Sequence, residues 1–151
     1  MTNADYVLKY VQWHKGSALE PSLAPYLLEE GIEHWIVWHH PSKTSGDAEL
    51  ERDDDARIAM AHVAHASSGR AHLDHAHLIC FQNVVPLRSI PTIAHSHVFL
   101  HVAAMPHATR QAIEVMRRAW RSRSPWLQQA EAPEAVEART SSNTDTACRN
   151  S

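Results

Sequence analysis

Glycine is scarce, at four residues in 151. Gly16, Gly31, Gly46 and Gly69 stand far apart, which leaves no glycine-rich phosphate loop and no Gly-x-Ser-x-Gly nucleophile elbow. Cysteine is scarcer still. Cys80 lies in an apolar stretch and Cys148 in a polar one, so there is no disulfide framework and no Cys-His pair at a useful spacing. Charge of one sign is missing too: the formal net charge of −3 offers no field for a polyanion, and nucleic acid is not an expected partner. No apolar run approaches the ~20 residues of a membrane span. The opening Met1-Thr2-Asn3-Ala4-Asp5-Tyr6 lacks the basic and apolar regions of a secretory signal. The expected setting is cytoplasmic, or nuclear, with no membrane partner.

What the chain has in excess is histidine, 13 residues in all, nine of them between His62 and His107. Imidazole titrates near neutrality, relays protons and binds borderline metals. The run that organises the chain is Ile90 to Val102. Read as a strand, its side chains alternate. Ser96, Val98, Leu100 and Val102 share one face; His95, His97, Phe99 and His101 share the other. Three imidazoles on one side of a strand with an aliphatic back suggest a site built on a core element.

Spacing places the other elements around that strand. Asp5 to Lys15 has helical periodicity in Tyr6, Val7, Tyr10 and Val11, with Asn3 or Asp5 as cap. Gly16 to Pro25 reads as a loop with two prolines. Glu33 to His40 is apolar on both faces, which predicts an interior strand covered on both sides. Ser42 to Asp54 is a surface loop, and Asp53-Asp54-Asp55 supplies an N-cap and first-turn charge for a helix over Ala56–Ala66. Ser67-Ser68-Gly69 stops it. Leu73 to Asn83 is the next strand, strongest from His77 to Gln82, and Pro106 opens a last helix over His107–Ser122. That helix has an apolar stripe of Ile113, Met116 and Trp120 and a solvated arginine face. The whole predicts a single α+β domain over 1–125, an antiparallel sheet with two or three helices packed on it. A disordered, polar tail follows over 126–151.

Three stretches carry a resemblance. They are Tyr6-Val7-Leu8-Lys9-Tyr10 with Trp13; Pro25-Tyr26-Leu27 before Gly31-Ile32-Glu33-His34 and Trp35-Ile36-Val37-Trp38; and Cys80-Phe81-Gln82-Asn83, Leu87-Arg88-Ser89-Ile90 and His95-Ser96-His97-Val98. In that order they resemble the little-characterised, largely fungal N-acetylglucosamine-induced protein-like family. Cys80 stands where that family has tryptophan. A more distant resemblance is to histidine-triad proteins: Gly31, His34–Val37, the helix after Asp53, Phe81–Asn83 and His95–Leu100 follow the same order. That resemblance implies a histidine-triad-like fold, with His97 as a nucleophile toward a nucleotide phosphorus and His95 as its partner. Two positions depart from the pattern. Phe99 occupies the third triad position, and Ser96 replaces an apolar residue.

Three functions follow from these residues. The first is an enzyme acting on a phosphorylated or nucleotide-like small molecule, with His97 acting at a near-neutral pKa. His95 or His101 relays protons, and Asn83, Arg88, Ser89 and His34 grip the ligand. The second is a divalent metal site of zinc, manganese or iron, held by His95, His97, His77 and His75 with Glu33 or Asp74. The third is a non-catalytic binding or regulatory domain. The expected partner is a small-molecule ligand, with a homodimer left open.

Overall fold

Eight residues rich in β-branched and aromatic types, Ile32–His39, form the strand on which the fold is assembled. A computed structural model describes residues 2–23, 25–44, 52–88 and 90–125. In chain order these form α1 (Asn3–Tyr10), β1 (Ser17–Pro21), β2 (Ile32–His39), α2 (Arg52–Ala66), β3 (Leu78–Phe81), β4 (His95–His101) and α3 (His107–Arg123). The strands make one antiparallel sheet in the order β1-β2-β4-β3. The single α+β domain read from the sequence is what forms. The 126–151 tail, Gly46 and Ser89 lie outside the described residues.

Both faces of β2 are covered, as its unbroken apolarity requires. On one face Trp35 and Val37 join Leu19, Leu78, Cys80, Val98 and Leu100 from the other strands, against Ala59 and Val63 of α2 and Ala112 and Ile113 of α3. Trp35, Val37, Val63, Val98, Leu100 and Ile113 are fully buried there, each stabilising by about 1.5–3 kcal/mol over exposure. On the other face Tyr6, Val7 and Val11 of α1 pack with Ala18, Ile90 and Ile93, and Trp38 rests against them. The Tyr6 hydroxyl reaches Ser124 Oγ at 2.9 Å, tying α1 to the end of α3.

Several boundaries differ from expectation. α1 starts at Asn3 because Thr2 and Asp5 form a capping box, satisfying two orphan donors reciprocally. It ends at Tyr10, and the chain then turns at His14–Ser17 into β1, a strand where a loop was expected. β1 is short, lies at the sheet edge and ends in Pro21, a place where proline is tolerated. α2 begins at Arg52, so Asp53–Asp55 lie inside its first turn rather than at its cap. The strand expected from Leu73 starts at Leu78, after a 3₁₀ turn over His75–His77 that Asp74 caps from its side chain. Gly31 has φ +85°, and a Cβ there would sit 2.5 Å from Ala103 Cβ; only glycine fits this approach.

One polar network is built into the helix-covered face. Asp55, 1% exposed, accepts from His39 Nε2 at 2.8 Å through one carboxylate oxygen and from Ser96 Oγ through the other. It links α2, β2 and β4. Asp55→Ala leaves two buried groups without their partner, so it should destabilise by about 1–3 kcal/mol. Urea denaturation measures this, and unchanged stability would show the network to be energetically idle.

Candidate functional site

The face of β4 that carries histidine points away from α2 and α3. In the β2–β4 register Trp38 pairs His95, Ile36 pairs His97 and His34 pairs Phe99; from the other side Phe81 pairs His97. His97 therefore has His34 as a diagonal neighbour on β2 and Phe81 directly opposite on β3. Both rings lie along it: Phe81 at a centroid distance of 4.9 Å and 13°, His34 at 5.0 Å and 27°. Tyr26, from the segment before β2, stacks on the outer face of His34 at 4.8 Å and 13°. His34, His95 and His97 are all buried.

These rings are connected by hydrogen bonds whose directions are fixed by chemistry. The Tyr26 backbone N–H can only donate, and it reaches His34 Nδ1 at 3.3 Å. His34 Nδ1 must then be the acceptor, so its proton sits on Nε2 and is donated to His97 Nδ1 at 2.8 Å. His97 in turn carries its proton on Nε2, which lies 3.2 Å from the Asn83 amide nitrogen. Two N–H donors cannot face each other, so the Asn83 amide is assigned the turned orientation, in which its oxygen accepts from His97 Nε2. His95 is set separately. Its Nδ1 lies 2.8 Å from the Ile93 carbonyl oxygen, which can only accept, so Nε2 keeps its lone pair.

Arg88 completes the cluster. It is buried, at 6% exposure, donating from Nε to the Asn83 carbonyl at 3.2 Å and from Nη2 to Gln82 Oε1 at 3.3 Å. Its charge acts on His95. Burial is the first cause holding the His97 pKa down at about 4, with His34 and His95 adding to it. This overturns the near-neutral value expected from sequence: His97 is neutral at physiological pH. Burial also lowers His34 and His95, the latter against the opposing effect of the Ile93 carbonyl. Cys80, on the opposite face, is pushed up to about 12 by burial and by the Asp55 charge, and so remains a thiol.

The structure thus brings together His95, His97, His34, Asn83 and Arg88 of the residues singled out from sequence. Others stand apart. His101 is exposed at the end of β4, four residues or about 13 Å along the strand from His97. His77 and His75 precede β3 in the 3₁₀ turn, where His77 faces Asp74 at 3.4 Å; Phe81, not His77, is the residue opposite His97. Glu33 lies on the helix-covered face, bound to the Trp35 indole at 2.9 Å and to Arg117. The expected metal donors are therefore spread over both faces and both ends of the strands. Among the described residues no group of three or more His, Cys, Asp or Glu is disposed to hold a metal ion. Ser89 lies outside the described residues. Tyr26 and Gln82 had no site role in the sequence reading: a lone Tyr in an irregular segment and a Gln after a strand carry no spacing signal.

Residues 12–101 match a family described as a protein of unknown function, DUF3605. Among curated proteins none matches the chain significantly. A solved structure described as "Crystal Structure of HTC1" is similar at 21% identity and a TM-score of 0.39. The similarity covers 65% of this chain and 55% of that one, so this chain spans about half the length of that structure. No described helix is long and apolar enough to cross a membrane.

The buried neutral imidazoles make stability fall with acid. An unfolded histidine takes up its proton near pH 6.5, whereas folded His97 does so only near 4. The stability present above pH 6.5 is therefore lost as pH falls toward 4, by up to about 3 kcal/mol for this residue. His97→Asn should flatten the dependence. Denaturation midpoints between pH 7.5 and 4 measure it, and parallel curves for the two proteins would contradict the assignment.

Proposed function

The chain belongs to the DUF3605 family of proteins of unknown function, and on that premise we propose that its β4 face binds a phosphorylated or nucleotide-like small molecule and performs acid–base or nucleophilic chemistry on it. The observation that carries this reading is the hydrogen-bonded placement of two histidines two residues apart on one strand, His95 Nδ1 on the Ile93 carbonyl and His97 Nδ1 on His34 Nε2, from which opposed tautomers are assigned: a lone pair on His95 Nε2 and an N–H on His97 Nε2. Divided in this way, His95 is the base or nucleophile and His97 the donor to the transferring group. That assignment reverses the roles implied by the histidine-triad resemblance, in which His97 attacks. Arg88 and Asn83 supply the cation and amide that an anionic ligand requires, and Phe81, Phe99 and Tyr26 supply aromatic walls. Tyr26, 49% exposed, swings aside to admit the ligand. The order of elements shared with histidine-triad proteins and the apolar departure at Phe99 are both compatible with a site that has two working histidines rather than three.

A panel of nucleotides and sugar phosphates, read by thermal shift, tests the reading. A ligand at a hundred times its Kd stabilises by about 2.7 kcal/mol, a shift of several degrees for a domain of this size. His97→Ala and Asn83→Ala should abolish that shift. For any ligand that is turned over, His95→Ala should cost roughly 10²–10⁴ in kcat. Binding that survives both substitutions, or full turnover by His95→Ala, would refute the proposal.

A further inference from the structure

On the other side of the sheet, between the turn that enters β1 and the helix α2, lies a cleft of about 540 Å³. Its walls include His14, Lys15, Ser17, Lys43, His62 and His65. The turn is a tight two-residue connection, with His14 N–H donating to the Ser17 carbonyl at 2.8 Å and Ser17 N–H donating back at 3.2 Å. Lys15 has φ +52° and Gly16 φ +82°, the pair of positive values that favours Asn-Gly. A lysine in the first of these positions is strained, and such strain gathers at functional sites. Lys43 is fixed from the opposite direction. Its aliphatic stem lies on Gly16, so closely that a Cβ there would be 2.6 Å from Lys43 Cγ.

Beside the two lysines the cleft carries hydrogen-bonding side chains. His62 Nε2 lies 2.9 Å from Ser17 Oγ, and His14 stacks on His65 at 3.9 Å and 15°. Among the described residues no carboxylate lines it. Asp55, which binds the lining residue His39, is occupied by His39 and Ser96. A concavity whose described walls bring together two lysines, a hydroxyl and several imidazoles is suited to a small multivalent anion. We infer that this cleft is a second ligand site, separate from the β4 face, and that it takes a phosphate-bearing small molecule. His62 is held near 4 by burial and by His14 and His65, and His14 is also lowered by burial, His65 and Lys15. A bound phosphate raises both, so binding takes up protons and tightens as pH falls. Among the described residues, the groups facing that anion are His14, Lys15 and Ser17 from the turn, His39 (with Asp55 behind it) and Lys43 from β2 and the residues after it, and His62 and His65 from α2.

The test is calorimetric titration of the full chain with inorganic phosphate and with glycerol 3-phosphate, at fixed ionic strength in chloride, at pH 7.5 and 6. Lys15→Asn removes one ammonium while giving the turn its favoured residue, so it should keep or raise the Tm and still weaken binding roughly tenfold. Lys43→Met keeps the stem over Gly16 and should do the same. Asn83→Ala, on the β4 face, should leave this binding unchanged. Tighter binding of glycerol 3-phosphate identifies the ligand as a phosphomonoester, and tighter binding of inorganic phosphate identifies free phosphate. The inference is overturned if neither anion binds above chloride, if both lysine variants bind as wild type does, or if Asn83→Ala alone abolishes binding. The last result would move phosphate to the β4 site and leave the reading of that site intact.

Discussion

The β2–β4 register is the constraint on which the molecule depends. Seven consecutive pairs, from Ile32↔His101 to Trp38↔His95, decide which side chains face α2 and α3 and which face α1 and the open surface. Side chains alternate with a period of two, so a slip of one residue would exchange the two sets. His95 and His97 would enter the helix-covered core, and Val98 and Leu100 would leave it. The large fully buried residues on one side of these strands, Trp35, Val37, Val98 and Leu100, make such a slip prohibitively costly. Hydrophobic packing on one face thus holds the chemistry on the other.

Burial and hydrogen bonding act on different properties of the histidines. Desolvation keeps His34, His95 and His97 neutral, because a charged imidazole loses its water without gaining a carboxylate. The hydrogen bonds then choose which nitrogen keeps the proton. Neutral rings with fixed and opposite tautomers are able to accept at one position and donate at the next. The same strand segment also joins the polar tie beneath it: Ser96, between the two histidines, binds Asp55, and Asp55 binds His39. A single stretch of three residues therefore serves the outer site and the inner network at once.

Much of this was legible in the chain. The alternation in Ile90–Val102 assigned the faces of β4, and the two-sided apolarity of Ile32–His39 marked the interior strand. The stripe of α3 followed from helical spacing, and His34, Asn83, Arg88, His95 and His97 were named as site residues, together with His101 and Ser89. Other features left no trace in local pattern. β1 is short and ends in proline, so it resembled a loop until its pairing with β2 supplied hydrogen bonds. Asp55 read as one acidic residue among three at a helix start, because only the approach of β2 and β4 distinguishes it from Asp53 and Asp54. His14 is far in sequence from His62 and His65 and shares a cleft with them only because the turn before β1 folds against α2.

The sequence by itself determined the α+β class, the central strand, the histidine-bearing face and the absence of glycine-built phosphate loops, since each of these rests on local periodicity or composition. The tertiary structure alone decided which histidines meet, which nitrogen of each carries the proton, and which carboxylate is buried. Those outcomes depend on contacts between residues 63 positions apart, as in His34 and His97, and no local pattern records them. The physical reason is the register of an antiparallel sheet: it is set by burial summed over whole strands, and it then fixes distances to a fraction of an ångström at single atoms.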